Sequence, residues 1–425
     1  MSVATVSQAI ASQHEALRPN MPELMMLSGV LWKRINSRTD IEAVSNRPTR
    51  VPFNPLTGGI FRTGANLFDG AAMGVGSGPV TVPGYISCVS FLQASAYTKL
   101  TEYSTNSKSK SIENFVTLTQ KQATKTFAGY MDALMQSDGS NTLDSVVSTT
   151  TNGLVVHNAN KFQDGQLLDI WTALAPSGSF VATVQILSVD ILQDTIWLTG
   201  PVPGGTTGGY LLLVNGSAGL ANSGFLGLRY YHAAGNVGNY MGIQKSSFAG
   251  KFSTPNINFG AGGGTLTPAS VRALEANIIL SMGEEEADAA ELVAHMNVDM
   301  SGAWENNAIA VQSIILNQVK GDESADMLKR RQPQTMGGRE ILRNPRATPG
   351  LIDFIALKNW FRIETAPVDY YEVGGQTVFP QYGGDGGVVS AMLFYLVTMV
   401  QAGLEQPRIA GFINNVTIPK GYFGQ

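Results

Sequence analysis

The chain has 425 residues, enough to bury a sizeable core in one large domain or several ordinary ones. Only 14% of them are charged, against a usual share of roughly 25%, and 47 are glycine, well above a usual share of roughly 7%. A net charge of −4 argues against a dedicated nucleic-acid binder, and a single cysteine, Cys88, excludes an intrachain disulfide framework.

A soluble monomer relies on surface charge to stay apart from its copies, so low charge in a large chain points to a surface covered by other subunits. A β-rich secreted protein, whose turns also consume glycine, is the rival reading. The N-terminus MSVATVSQAIASQHEAL lacks a basic start and an apolar stretch, so no signal peptide is expected. Assembly in a reducing cytosol is the expectation.

Residues 1–38 read as a polar arm with a short helix through Pro22–Leu27 to Trp32. Next comes TRVPFNPLTGGIFRTGANLFDGAAMGVGSGP, Thr49–Pro79, which fits neither the helical nor the strand period. Its glycines break a helix, and Pro52, Pro55 and Pro79 rule out a central strand. Yet Phe53, Ile60, Phe61, Leu67, Phe68 and Met73 give it an apolar load that disordered segments lack. A stretch like this either stays disordered or rests on something outside its own subunit. The run then closes through VTVPGYISCVSFLQ, Val80–Gln93, read as a strand.

SIENFVTLTQKQATKTFAGYMDALMQSDG is the clearest helix. Ser111 caps it, Glu113 sits in its first turn, and Ile112, Phe115, Val116, Ala123, Phe127, Tyr130, Met131 and Leu134 form one apolar stripe. Gly139 ends it. From Ile112 to Asp138 it counts 27 residues, or about 40 Å at ~1.5 Å per residue, a spine for a flat domain.

Residues 150–216 switch to short alternating runs, LVVHNANKF, LLDIWTAL, FVATVQILSV, DTIWLTG and YLLLV, separated by turns at Asp164-Gly165, Pro176-Ser177-Gly178 and Pro203-Gly204-Gly205. In FVATVQI, Ala182, Val184 and Ile186 face one side. This is an all-β module, sandwich or barrel, with Gly/Ser/Thr-rich flanks (SVVSTTTNG and NGSAGLANSG) that suit insertion into a host fold. Beyond it Thr267, Pro268 and Gly283 mark a second helix, a third helical segment follows Ser301, and strands return in IDFIALKNWFRI, PVDYYEV and the apolar run Val388–Val400. That run of thirteen is too short for a membrane span of ~20 and reads as a buried strand or helix. The class is α+β.

Candidate chemistry is sparse. His14, His157, His232 and His295 are not spaced as metal ligands and read as surface or loop residues. No Gly-x-Ser-x-Gly elbow occurs; GVGSG and GAGGG are not followed by Lys-Ser/Thr; Glu284-Glu285-Glu286 reads as a solvated face. No catalytic residue, cofactor or metal is expected. One charge cluster stands out: Lys329, Arg330, Arg331, Arg339, Arg343 and Arg346 face only one local acid, Glu340, a pattern for contact with a neighbouring subunit or DNA phosphates, or for a solvated loop with local pairing.

The order of parts resembles the major capsid proteins of tailed double-stranded DNA bacteriophages, the Hong Kong 97-like fold. The features that carry the likeness are the loop from Arg47 to about Gly84, the helix from Ile112 to Asp138, and HNANKFQDGQLLDIW in the inserted module. The resemblance implies an N-terminal arm (1–38), an extended loop with flanking strands (39–98), a peripheral domain with its spine helix (99–149), an inserted β-domain (150–216), and an axial domain with returning peripheral strands (217–425). It implies a structural, non-enzymatic coat subunit of the virion, assembled in the bacterial host cytoplasm with no membrane part. Its partners would be copies of itself in pentamers and hexamers, scaffolding, portal and cement proteins, and packaged DNA held by weak non-specific contact. The loop would lie across an adjacent subunit, with Phe53, Phe61, Leu67 and Phe68 finding their core there and Arg47, Arg50 and Arg62 pairing across the seam. Two alternatives stand beside it: an encapsulin-like compartment shell and a β-rich secreted enzyme such as a glycosidase. Some relatives crosslink through a loop lysine; here no lysine lies between Lys33 and Lys99, so a non-covalent shell is expected.

Overall fold

The computed structural model describes residues 30–37, 48–56, 58–59, 78–98, 115–304, 335–382 and 388–418. Residues 22–29 of the helix expected in the arm lie outside these, and the described end of it is a 3-10 turn, Trp32–Arg34, followed by β1 (Asn36–Ser37). Leu31, Trp32 and Ile35 are buried, and β1 pairs in parallel with Phe361 and Arg362. The described end of the arm is thus fastened to its own chain.

Thr49–Pro79 does contain regular structure. Thr49–Leu56 (β2) and Val80–Ile86 (β3) form a two-stranded antiparallel ribbon. Its prolines are tolerated because both strands are edges, and Pro52 stands opposite Pro83, a position where neither residue can donate a ladder hydrogen bond. Val51 and Ile86 point into the body. VTVPGYISCVSFLQ is two strands rather than one: β3 stops before Ser87-Cys88, and β4 (Val89–Thr98) joins a different sheet.

The spine helix α1 is described over Phe115–Leu134; Ser111, Ile112 and Glu113 fall outside the described residues. Ala123, Phe127, Met131 and Leu134 of its stripe are buried. It ends four residues earlier than read. Met135 N still donates to Met131 O, but Gln136 N and Ser137 N turn to Ala133 O and Leu134 O, tightening the last turn. Gly139, at φ +94°, makes the left-handed exit.

Six antiparallel strands follow: β5 (Thr142–Thr149), β6 (Gly153–Val156), β7 (Leu167–Trp171), β8 (Phe180–Asp190), β9 (Thr195–Leu198) and β10 (Leu211–Val214). They close in the order β10-β5-β6-β9-β8-β7 into a barrel filled by Val146, Leu154, Ile170, Ile186, Ile196 and Leu212. The barrel begins at Thr142, so it takes in the SVVST run read as flank.

Short elements continue the chain: α2 (Leu228–Tyr231), the pair β11 (Asn239–Tyr240) and β12 (Ile243–Gln244), and β13 (Asn256–Asn258). Helix α3 (Pro268–Met282) has the caps that its sequence specifies. Thr267 Oγ1 accepts from Ser270 N and Ser270 Oγ from Thr267 N, each at 3.2 Å, and Gly283 sits at φ +95°. Helix α4 (Glu284–Ala289) carries the three glutamates on its exposed side. After β14 (Leu292–Met296) a helix starts at Val298, before Ser301, because Asn297 caps it.

The last strands are β15 (Thr335–Met336), β16 (Arg339–Arg343), β17 (Ile352–Ala356), β18 (Trp360–Tyr370), β19 (Val378–Tyr382), β20 (Val388–Leu404) and β21 (Gly411–Asn414). IDFIALKNWFRI is therefore split by a turn between β17 and β18, and β18 absorbs Pro367 in a bulge. The apolar run is a strand: β20, 17 residues long, carries β18 and β19 on one edge and β4 on the other, with β1 beyond β18. A second, mixed sheet of six strands runs β13-β21-β17-β14-β16-β15 and is backed by α3. Two hydrophobic cores result, one uniting α1, the β20 sheet and the barrel, the other under α3.

The ribbon's root is packed tightly: a Cβ on Gly84 would lie 2.7 Å from Phe53 Cε2 and 3.1 Å from Met241 Cβ. Phe53 cannot swing away, being wedged against Tyr240 and Phe252. Gly84→Val is expected to cost about 1–3 kcal/mol, the usual penalty of overpacking, read from the shift in a urea denaturation midpoint.

Candidate functional site

Of the residues assigned to the extended loop's seam, Arg47, Phe61, Arg62, Leu67 and Phe68 lie outside the described residues. Arg50 is exposed on β2. Phe53 corrects the expectation: it finds its core in its own subunit, edge-on to Tyr240 at 5.8 Å and Phe252 at 5.6 Å. The ribbon root rests on the body because Tyr85 N donates to Met241 O at 2.7 Å. Beside it opens a cleft of about 640 Å³ lined by Arg50, Phe53, Lys251, Met282, Glu405 and Arg408. At the ribbon's far end Leu56 and Val80 are exposed.

Of the basic cluster, the three described members, Arg339, Arg343 and Arg346, have separate surroundings. Lys329, Arg330 and Arg331 lie outside the described residues. Arg339 binds Asp288 at 2.8 Å and stands 4.0 Å from Glu275; Arg343 is exposed on β16; Arg346 is 3.8 Å from Asp132. Glu340, the only acid counted nearby, holds Arg34 through both carboxylate oxygens, at 2.7 and 3.2 Å. The partners of Arg339 and Arg346 come from α4, α3 and α1, distant in sequence, so a local charge count could not see them.

Arg346 belongs to a short polar loop, residues 344–348, on which several elements converge. Asp132 of α1, wholly buried, accepts from Leu31 N at 2.9 Å and Trp32 N at 3.4 Å while facing Arg346. Asn158, just past β6 of the barrel, donates through Nδ2 to Pro345 O and Ala347 O, both at 2.8 Å. Asn297 grips the same two carbonyls at 3.3 and 3.0 Å. Lys161 Nζ donates to Leu143 O at 2.9 Å and to Thr348 Oγ1 at 3.4 Å. Burial pushes the Lys161 ammonium down from its ordinary value, against the pull of Asp144.

The histidines also depart from expectation. His232 and His295, read as surface or loop residues, have no exposed side-chain surface and flank Asp353 of β17. Arg229 of α2 pairs with Asp353 Oδ1, and His232 Nδ1 lies 3.0 Å from the same oxygen. His295 Nδ1 is 3.9 Å from Oδ2, too far for a hydrogen bond. Burial by itself would raise the Asp353 carboxyl, but Arg229 and His232 hold it well below the usual carboxylate range. Burial lowers His232, outweighing the attraction of Asp353. His157, on the barrel, is pushed up by its bond to Asp144. His14 lies outside the described residues. Among the described residues no three His, Cys, Asp or Glu side chains gather as a metal site. One signal was available in sequence: Asp353 interrupts the otherwise apolar IDFIA, and a carboxylate in a buried strand needs a cationic partner.

Removing Asp353 leaves the Arg229 guanidinium without its counter-charge and His232 Nδ1 without its partner, so Asp353→Ala is expected to cost about 3–5 kcal/mol in a denaturation measurement. The pH dependence has a defined sign. At Asp353 and His232, both depressed in the folded state, the fold binds fewer protons than the unfolded chain, so the stability these two sites contribute is lost as pH falls, while His157, pushed up, acts in the opposite sense. Urea midpoints are expected to decline below about pH 6.5 from His232 and again below about pH 4 from Asp353.

No family model matches this chain, and no curated protein does. Solved structures do. A capsid chain of cyanophage A-1(L) is 10% identical and aligns over 93% of this chain and 93% of its own length, with a TM-score of 0.52. Capsid chains of the empty and native GTA particles are 12% and 11% identical, cover 91% of this chain and 90% of theirs, and have TM-scores of 0.46 and 0.45. At such identities the likeness is one of fold, and the chain shares the fold of the cyanophage A-1(L) capsid chain over nearly its whole length.

Proposed function

We propose that this chain is the major capsid subunit of a tailed bacteriophage, a structural protein of Hong Kong 97-like fold. It assembles as pentamers and hexamers into an icosahedral head around double-stranded DNA. The observation that carries this reading is the end-to-end correspondence with the cyanophage A-1(L) capsid chain, 93% of each, which leaves no sizeable part of either chain unmatched.

On this reading the β2–β3 ribbon is the root of the extended loop, α1 and the β20 sheet form the peripheral domain, the six-stranded sheet with α3 forms the axial domain, and the barrel is the inserted domain. Residues 30–37 are the root of the arm. A charged share of 14% suits a chain that leaves much of its surface to neighbours. Exposed apolar side chains supply such contacts: Leu92 is 62% exposed on the edge strand β4, and Leu280 is 83% exposed at the end of α3. Scaffolding, portal and cement proteins and weakly held DNA are the other partners of such a subunit.

Purified protein is expected to form megadalton particles by light scattering and negative-stain microscopy. A chain that stays a monodisperse 45.2 kDa monomer at high concentration overturns the assignment. Particles dissolved in hot detergent are expected to run as one band at the monomer mass, since no lysine lies between Lys33 and Lys99 to form a covalent bond from the loop. A ladder of multimers would contradict a non-covalent shell.

A further inference from the structure

Asn344 stands where the histidine cluster meets the 344–348 loop, and its amide orientation is fixed. Oδ1 accepts from Arg346 N at 2.9 Å, so Nδ2 is the atom that faces His295 Nε2, 3.2 Å away. An amide NH₂ offers only donors; the histidine nitrogen opposite it has to be bare. The contact therefore requires a neutral His295 with its one proton on Nδ1, the nitrogen directed at Asp353. A proton added at Nε2 would set two donors face to face in a site with no exposed side-chain surface. Asn344 cannot answer by turning its amide over, because Arg346 N would then meet the NH₂ group.

The surrounding charges are already matched. Arg229 of α2 and Asp353 of β17 face the two histidines. Lys161 and Asp144 attract each other on the barrel side next to Arg229, and Arg346 faces Asp132 beyond Asn344. Three cations stand with three carboxylates, so another positive charge at His295 has no counterpart. The loop anchored by Asn344 is the one that Asn158, Asn297, Lys161 and Asp132 hold in common.

We propose that His295 is an acid-sensitive latch: protonation at Nε2 drives Asn344 away, and the 344–348 loop lets go of the barrel and of α1 while both hydrophobic cores stay folded. Whatever the chain assembles into, this device belongs to the subunit alone. Asn344 itself remains linked through its own N–H to Met296 O, so the opening is local.

Hydrogen exchange read by mass spectrometry on the full chain tests it, using the Arg346 and Ala347 amides, which bond to Asn344 Oδ1 and Asn344 O. After correction for intrinsic rates, their exchange is expected to rise about tenfold between about pH 7.5 and about pH 5.5, the range over which imidazole side chains ordinarily take up a proton. Protection in α1 and β20 is expected to hold. His295→Gln can accept from Asn344 without titrating and should abolish the pH dependence. Asn344→Asp should reverse it, because a carboxylate still accepts from Arg346 N and prefers a charged His295, closing the loop more firmly at the lower pH. Equal wild-type rates at both pH values, an undiminished pH response in His295→Gln, or an unreversed one in Asn344→Asp each overturn the latch; the Asp variant carries the test if the Gln variant does not fold.

Discussion

A charge buried in a protein interior has to be matched, and in this chain that requirement joins the parts. Asp132 sits in the last turn of α1 with no exposed surface. It is tolerable there because two backbone N–H groups from Leu31 and Trp32 and the guanidinium of Arg346 converge on it. The same demand ties the arm's end to the helix and the helix to the 344–348 loop. Asn158 and Asn297 complete the arrangement from the barrel and from the end of β14, each binding Pro345 O and Ala347 O. Gly129 on α1 shows how close the approach is: a Cβ there would lie 2.7 Å from an Arg346 nitrogen and 2.5 Å from Gln163 Nε2.

The second buried charge, Asp353, does the same for the two sheets. It sits on β17, the strand whose neighbours β14 and β21 build the six-stranded sheet, yet its partners Arg229 and His232 come from around α2, which packs with the first core. Tyr231, between them, sends its hydroxyl to Ala402 O of β20 at 2.8 Å, so this one short helix touches both sheets. Buried ion pairs are poor sources of net stability but strong sources of specificity, since a misplaced lobe would strand a charge. This division of labour fits a subunit whose apolar cores supply the stability and whose polar junctions set how its lobes meet.

Legibility followed the range of the interactions concerned. The caps of α3 were readable because a capping box closes over three residues, and the barrel strands were readable because alternation is a property of neighbours. The ribbon at Thr49–Leu56 was missed because its two prolines hide an alternation that survives in its burial. The end of α1 was overestimated because it was placed at the left-handed stop, Gly139, whereas the chain leaves the α-helical pattern at Gln136 and Ser137, which bond three residues back. Phe53 was sent to a neighbouring subunit because nothing near it in sequence offers a core; Tyr240 and Phe252, which do, lie nearly two hundred positions away.

By itself, the sequence determined the α+β class, the spine helix, the β-rich middle segment, the capped helix after it and the absence of any loop lysine, all of them consequences of local period, local sterics or plain composition. Tertiary structure alone decided where the charges went. Leu31 reaches Asp132 across 101 positions, His232 meets Asp353 across 121, and Arg34 meets Glu340 across 306. Electrostatic and hydrogen-bonding partners are chosen by distance in space, and no periodicity in the chain encodes that distance.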